Sequence, residues 1–182
     1  MTVFVACHGL ELDRLQIPPF EVGPGGILAL DWPLFLGEPV QKVLLGALSG
    51  LNNLRGVEVF EKASVADPFS MALGKTLASQ LCAMVSPSFP LLLREMVLQY
   101  GNLYEQKLEE LPLTPRLMVS LFKACQQSKF IVTWLSGLDP HGENQIMSAI
   151  QKFADFDFGF LLFRFPRFGA KVISTVSLER LR

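Results

Sequence analysis

The sequence predicts an α/β fold in which a mainly parallel sheet is preceded by antiparallel strands and interrupted by a helical stretch. Apolar runs of strand length alternate with segments of helical period along most of the chain. Short β-prone pieces, separated by Gly9 and Pro18, fill the N-terminal part. Half of the 182 residues are hydrophobic and 18% are charged, which provides the apolar surface for one core. We therefore expect a single domain over residues 1–182.

The first third of the chain is predicted to form short strands, followed by a longer apolar strand, a loop and a helix. Gly and Pro at 23–26 predict a turn before the apolar run at 27–30. The next segment repeats its apolar residues at helical spacing. The predicted elements are strands at 3–6, 10–15, 19–22 and 27–30, a helix at 40–51 and a strand at 57–60.

The remainder begins with a stretch of helical composition and then returns to alternating helices and strands. Large apolar residues recur every three or four positions in the part of this stretch near residue 100, which predicts a helical insertion over 68–111. Its Met and Leu residues suit a helical core or a groove for a partner. The later predicted elements are a helix at 116–127, a strand at 130–135, a turn at 136–140, a helix at 143–154 and a strand at 158–163.

Charge and hydropathy disfavour several classes of protein. The chain has 16 Lys and Arg against 17 Asp and Glu, so its net charge of −1 gives no long-range attraction for nucleic acid. No run approaches the roughly 20 apolar residues of a membrane span, and the N-terminal residues do not resemble a secretory signal. Three widely spaced cysteines suit neither a disulfide framework nor a thiolate metal site. We expect a cytoplasmic protein with reduced cysteines.

Three places, taken in chain order, resemble the nucleotide-binding domain of ABC transporters. Residues 26–30 followed by 43–51 resemble the strand and helix that flank the phosphate-binding loop of that family. Within 111–124, residues 119–124 resemble the helix that follows the family's signature motif. Ser-Gly-Leu-Asp-Pro at 136–140 is similar to the D-loop. The resemblance covers most of the chain and implies a three-layer core like that of P-loop NTPases, with 68–111 as the small helical subdomain.

The phosphate-binding loop is the first place where the sequence departs from the family. The family uses glycines, whose backbone N–H groups converge on phosphate, and one lysine. When the positions are counted back from residues 50–51, the glycine positions hold Phe35, Glu38 and Val40, and the lysine position holds Gln41. Side chains then block the close approach of the backbone, and a carboxylate would face the phosphates. The sequence predicts a degenerate phosphate loop.

The other catalytic elements depart from the family in the same way. Val132 and Thr133 stand where the family has an Asp that helps to hold Mg²⁺ and a Glu that orients the attacking water. Residues 112–115 read Pro-Leu-Thr-Pro in place of the serine and glycines of the signature loop, and Arg164 starts the segment where the switch histidine is expected. A retained framework without these groups indicates a pseudo-ATPase with no catalytic residues, no cofactor and no metal site.

The resemblance implies a subunit that acts through protein contacts. Domains of this family pair with one another and dock on the cytoplasmic side of membrane subunits. We therefore expect another ABC ATPase-like subunit or an integral membrane protein as partner, with the chain peripheral to the membrane and neither spanning it nor binding nucleic acid. The expected contact with a partner is the D-loop-like turn, formed by Ser136, Gly137, Leu138 and Asp139.

Two alternatives remain open at this stage. The first is an ATP-hydrolysing enzyme with a displaced phosphate site, which would use Lys42 or the Lys75 of Gly-Lys-Thr at 74–76. The second is a scaffold unrelated to transport. Cys7 with His8, and His141 with Asp139, could be catalytic pairs, but the sequence favours structural roles, with Asp139 capping a helix that begins near residue 143.

Overall fold

The computed structural model of the protein describes residues 2–12, 15–32, 38–69, 74–83, 94–95, 98–164 and 177–181. The side chains at 38–39, 82–83 and 177–180 lie outside this description. Among the described residues, no helix combines the length and the apolar character that crossing a bilayer requires.

A five-stranded sheet forms the centre of the molecule. Its strands are β5 (Ile27–Asp31), β7 (Ser64–Ala66), β8 (Phe130–Trp134), β9 (Gly159–Arg164) and β10 (Ser177–Arg180). They lie in the order β10-β5-β9-β8-β7. The three pairs β5–β9, β9–β8 and β8–β7 are parallel, and β10 adds an antiparallel edge strand next to β5. The mainly parallel α/β fold is confirmed, whereas β7 and β10 are not among the strands that the sequence predicted.

Antiparallel strands precede this sheet, as predicted. They form a three-stranded sheet, ordered β4-β1-β6, and the separate hairpin β2–β3. The strands are β1 (Val5–Cys7), β2 (Leu10–Leu12), β3 (Leu15–Ile17), β4 (Phe20–Val22) and β6 (Val57–Val59). The prediction of one strand at 10–15 is wrong, since two strands pair there with Leu10 opposite Ile17. In the sequence, the polar pair at 13–14 interrupts the apolar run between them.

Four α-helices are described, and three of them begin earlier than predicted. They are α1 (Glu38–Leu48), α2 (Leu77–Ala83), α3 (Leu113–Cys125) and α4 (Pro140–Ala154). Helix α1 begins two residues earlier than predicted, and α3 and α4, predicted from 116 and 143, begin three residues earlier. Proline is tolerated in the first helical turn, where its missing N–H has no partner within the helix, so Pro115 and Pro140 do not delay these helices.

The described residues of the stretch 68–111 include several helical segments. They are α2, helical residues at 94–95 and 98–100, and two turns of 3₁₀-helix, Gly101–Leu103 and Leu108–Glu110. An isolated antiparallel bridge joins Thr76 to Lys107. Leu108 and Tyr100 are buried in the main core, which attaches these turns to the body of the domain. That the whole stretch forms a subdomain stays a prediction, because 70–73, 84–93 and 96–97 are outside the description.

Two apolar layers cover opposite faces of the central sheet. On one face Ile131 packs with α3 and α4, and on the other Phe130 and Val132 pack with α1 and the N-terminal strands. Successive side chains of a strand point to opposite faces, so each core strand serves both layers. Cys7 and Cys125 are free and buried, and burial raises the pKa of both thiols.

Candidate functional site

The carboxyl ends of the parallel strands β5, β9 and β8 lie side by side. Open α/β sheets place their ligand crevices at this edge. The positions that the sequence aligned with catalytic elements are found here, since α1 follows β5, Val132 and Thr133 lie in β8, and Arg164 ends β9. This edge is therefore the candidate functional site.

An ion pair joins the ends of β5 and β9. Arg164 Nε donates a hydrogen bond to Asp31 Oδ1 at 2.9 Å, and the two residues are also partners in the strand register. Arg164 stands at the start of the segment expected to hold the switch histidine, and its side chain binds a neighbouring strand. The pair remains partly solvent-exposed, so we expect a contribution to stability of at most about 1 kcal/mol.

A row of aromatic side chains crosses the same edge, which the sequence reasoning missed. The ring of Trp32, directly after β5, meets Phe163 edge-on at 5.3 Å between centroids, and Phe163 stacks on Trp134 at 6.1 Å. The two tryptophans of the chain stand at or just after the ends of predicted strands, which indicates aromatic side chains at this edge, but their ring contacts depend on the folded chain. Among the described residues, the buried Nε1 of Trp32 has no hydrogen-bond partner.

The described side chains on the α1 side of the edge are mostly buried and apolar. Val40 and Val132 are 3% and 0% exposed and belong to one apolar cluster. Gln41, predicted from the sequence to take the lysine position, is 6% exposed, and its uncharged amide Nε2 has no hydrogen-bond partner among the described residues. Phe35 lies outside the described residues; Glu38 begins α1, but its side chain is also outside them.

Thr133 uses its hydroxyl group within the sheet. The residue is fully buried, and its Oγ1 donates a hydrogen bond to the backbone oxygen of Ala66 in β7 at 2.9 Å. Neither Thr133 nor Val132 offers a carboxylate, the ligand that Mg²⁺ prefers. Among the described residues, no group of three His, Cys, Asp or Glu side chains could hold a metal ion. The residues at these positions do not fit a magnesium site.

The D-loop-like turn lies between β8 and α4. Gly137 has a φ of +83°, a left-handed conformation that glycine adopts at least cost. Asp139 is the N-cap of α4, since its Oδ1 accepts the N–H of Gly142 at 2.8 Å. The prediction of an Asp139 cap is confirmed, although its helix starts at Pro140. Leu138 packs against the core, and the buried Ser136 Oγ has no hydrogen-bond partner in the part of the chain that the structure describes.

The start of α3 is packed tightly against the start of α4. A Cβ atom on Gly142 would lie 2.2 Å from Thr114 Oγ1, which is far inside contact distance. A Cβ on Gly137 would lie 3.2 Å from Leu113. The positions predicted as an altered signature loop are thus largely helical, with Pro112 as the N-cap of α3. The turn and the start of α3 form one packed unit.

The alternative phosphate site at 74–76 has unsuitable surroundings. The N–H of Gly74 lies 3.1 Å from both carboxylate oxygens of Glu109. Hydrogen bonds from its own backbone and from Gly74 lower the pKa of Glu109, which keeps the carboxylate charged and repels phosphate. Lys75 and Lys42 are both exposed.

The two candidate catalytic pairs have ordinary structural contacts. His8 lies 3.4 Å from Glu58 Oε1 at the surface, while Cys7 is buried beside it in the sequence. His141 Nε2 lies 2.9 Å from Nε2 of Gln145, one turn along α4. Asp139 instead caps that helix.

Comparison with known proteins shows similarity in fold. No model of a protein family matches the sequence, and no curated protein matches it. A nucleotide-free ATP-binding cassette from an ABC transporter is similar with a TM-score of 0.62 at 12% identity, over 98% of this chain and 92% of that one. The protein cbiO1 from Clostridium perfringens, part of the ABC transporter complex cbiONQ, is similar with a TM-score of 0.61 at 12% identity, over 91% of this chain and 79% of that one.

A third similar structure comes from another kind of complex. The archaeal ribosome recycling factor aABCE1, solved with the ribosomal stalk protein aP1, matches with a TM-score of 0.61 at 14% identity, over 91% of this chain and 34% of that one. The fold is therefore that of an ATP-binding cassette domain. The similar structures that share this fold belong to different kinds of complex.

Proposed function

We propose that the protein is a catalytically inactive, ABC-ATPase-like subunit that acts through protein contacts. It pairs with an active ATPase, docks on the cytoplasmic side of a membrane transport complex, or does both. The observation that carries the proposal is the burial of Val132 and Val40 in one apolar cluster, at the edge where nucleotide chemistry would take place. An active site of this fold needs carboxylates and phosphate-binding N–H groups at that edge.

The contrast between the phosphate and metal positions and the D-loop-like turn supports a role in contacts with a partner protein. The described side chains at the predicted phosphate and metal positions, Val40, Gln41, Val132 and Thr133, are apolar or uncharged, whereas the D-loop-like turn keeps a capped and well-packed geometry. Gly137 and Asp139 are exposed at its surface. A chain without a phosphate site of its own can still complete or restrain the site of a partner through such a turn.

The ribosome recycling factor among the similar structures favours a second candidate. The chain would then be a contact subunit of an assembly unrelated to transport. Affinity purification of the tagged, full-length chain from native membranes and from the soluble fraction distinguishes the two candidate functions. Co-purification of an integral membrane protein or of a transporter ATPase supports the first, and a soluble assembly without either supports the second.

Titration with Mg-ATP tests catalytic inactivity directly. We expect no calorimetric binding signal and no phosphate release from the purified chain, because the buried cluster around Val132 leaves no ligand for the metal. A micromolar dissociation constant that Lys75→Ala or Lys42→Ala abolishes would contradict the proposal and establish the displaced-site enzyme. The two exposed lysines serve as controls for each other.

Replacement of Asp139 by alanine tests the contact role of the turn. Loss of the N-cap hydrogen bond to Gly142 should lower the free energy of unfolding by about 1 kcal/mol, measured by urea denaturation. Asp139→Asn keeps a good cap but removes the charge, and Asp155→Ala removes the same charge after the other end of α4. We expect both Asp139 variants, but not Asp155→Ala, to change the ATPase rate or assembly of the captured complex. A complex unchanged by either Asp139 variant would leave Asp139 with only its role as a cap.

A further inference from the structure

Strand β6 forms one edge of the three-stranded N-terminal sheet. It lies last in the order β4-β1-β6, and among the described strands it pairs only with β1. His8 N–H donates to the Gly56 carbonyl at 2.8 Å, and Phe60 N–H donates to the Phe4 carbonyl at 2.9 Å. Every second residue of an antiparallel strand bonds to the same neighbour, so the backbone groups of Glu58 also face β1.

The backbone groups of Val57 and Val59 consequently face the outer edge of β6. The N–H of Val57 is used within the chain, since it donates to the Leu54 carbonyl at 3.1 Å. The N–H of Val59 and the carbonyl oxygens of Val57 and Val59 find no partner among the described strands. Such a set of alternating donors and acceptors is a template for pairing with another extended chain.

Two exposed side chains accompany this edge. Phe60, directly after the strand, is 65% exposed. The side chain of Glu58 is 61% exposed, and its Oε1 lies 3.4 Å from His8 Nε2 at the surface. Short strands and charges also protect sheet edges from unwanted pairing, but an exposed aromatic ring adds nothing to such protection. Aromatic side chains are enriched where proteins meet, which favours a contact at this edge.

The charge of Glu58 distinguishes a second copy of the chain from another protein. Two copies that pair with equivalent residues opposite each other bring one Glu58 against the other, and like charges directly opposite destabilise a strand pair. A lysine or arginine opposite Glu58 stabilises it instead. Charge complementarity therefore favours a different chain with a basic residue at this point.

We propose that β6 accepts an extended segment of a partner protein as a fourth, antiparallel strand of this sheet. The segment places a lysine or arginine opposite Glu58 and an apolar residue opposite Val59, next to Phe60. Val59 exchanges two backbone hydrogen bonds with the apolar residue, and the Val57 carbonyl accepts a third. This surface is additional to the D-loop-like turn, and its occupation does not depend on whether the assembly serves transport.

The test titrates the full ¹⁵N-labelled chain with the peptide acetyl-Thr-Val-Lys-Val-Thr-amide. The Val59 amide signal should shift saturably with a dissociation constant of about 1 mM, and hydrogen exchange at the Val59 N–H should slow. N-methylation of both peptide valines removes the donors to the Val57 and Val59 carbonyls and should weaken binding more than about tenfold. N-methylation of the lysine is the matched control, because its N–H points away from β6 in an antiparallel pair.

Substitutions in the protein test the side-chain preferences. Glu58→Lys should weaken the lysine peptide about threefold and strengthen the peptide with glutamate in its place by a similar factor. Glu21→Lys is the matched control, since Glu21 and Glu58 both lie opposite Ala6, on the two edges of the sheet. Phe60→Ala should weaken both peptides, whereas Phe69→Ala, which removes a ring 72% exposed outside this sheet, should change neither.

Three results would overturn the proposal. The first is the absence of a saturable shift at Val59, and the second is an equal loss of binding when the valines or the lysine are N-methylated. The third is a Val59 signal that moves with protein concentration when no peptide is present, which would assign the edge to a second copy. All three report on β6 alone, so they are separable from the outcome of the Mg-ATP titration.

Discussion

Replacement of Val132 with aspartate is expected to unfold the protein or bring it close to unfolding at neutral pH. The substitution introduces the carboxylate that the resemblance to ABC transporter domains predicts at this position, but Val132 is 0% exposed within the apolar layer under α1. Lost packing and burial of an unpaired acid together should cost about 3 to 5 kcal/mol or more. Typical domains are stable by only about 5 to 15 kcal/mol.

The loss of stability in Val132→Asp should become larger as the pH rises. Burial raises the pKa of an aspartate in the folded state above its unfolded value of about 3.9. Between these two pKa values the folded state binds more protons than the unfolded state, so stability falls as the pH rises. Urea denaturation from pH 4 upward, in steps, should show Val132→Asp losing stability relative to wild type across this window.

Val132→Thr is the matched control, because it has nearly the same shape without a charge and Thr already occurs next to it in β8. It should cost less than the aspartate variant and show no added dependence on pH in this range. A folded Val132→Asp protein that binds Mg-ATP would contradict the burial of this position in an apolar layer. It would mean that only one carboxylate separates the chain from a nucleotide site.

The central part of the fold could be predicted because its signals are local. The strands β5, β8 and β9 are continuous apolar runs, and α1 and α4 carry apolar residues at helical spacing. Their alternation is sufficient to predict a mainly parallel sheet. Strand β7, in contrast, has only Ser64, Val65 and Ala66, and its extended form depends on pairing with β8, including the bond from Thr133 to Ala66.

The candidate site could be predicted in part from positions counted along the chain. Counting from Ser136 placed Val132 and Thr133 in β8, and the Asp139 cap followed from turn chemistry. The aromatic row could not be predicted, because the contact of Trp32 with Phe163 joins distant segments.

Gly142→Ala is expected to destabilise the protein, against the usual preference of helices for alanine over glycine. The new Cβ would lie 2.2 Å from Thr114 Oγ1 and 3.3 to 3.4 Å from the side-chain carbons of Thr114. Rotation of the Thr114 side chain about its Cα–Cβ bond would not relieve the clash, because it brings the methyl group into the space that the hydroxyl leaves. Overpacking of this kind costs about 1 to 3 kcal/mol. The free energy of unfolding from urea denaturation measures the loss.

A double-mutant cycle identifies the cause. Thr114→Ala removes the Oγ1 and methyl group that obstruct residue 142, so adding it to Gly142→Ala should recover most of the lost stability, giving a coupling of more than about 1 kcal/mol. Additive effects would contradict a direct clash.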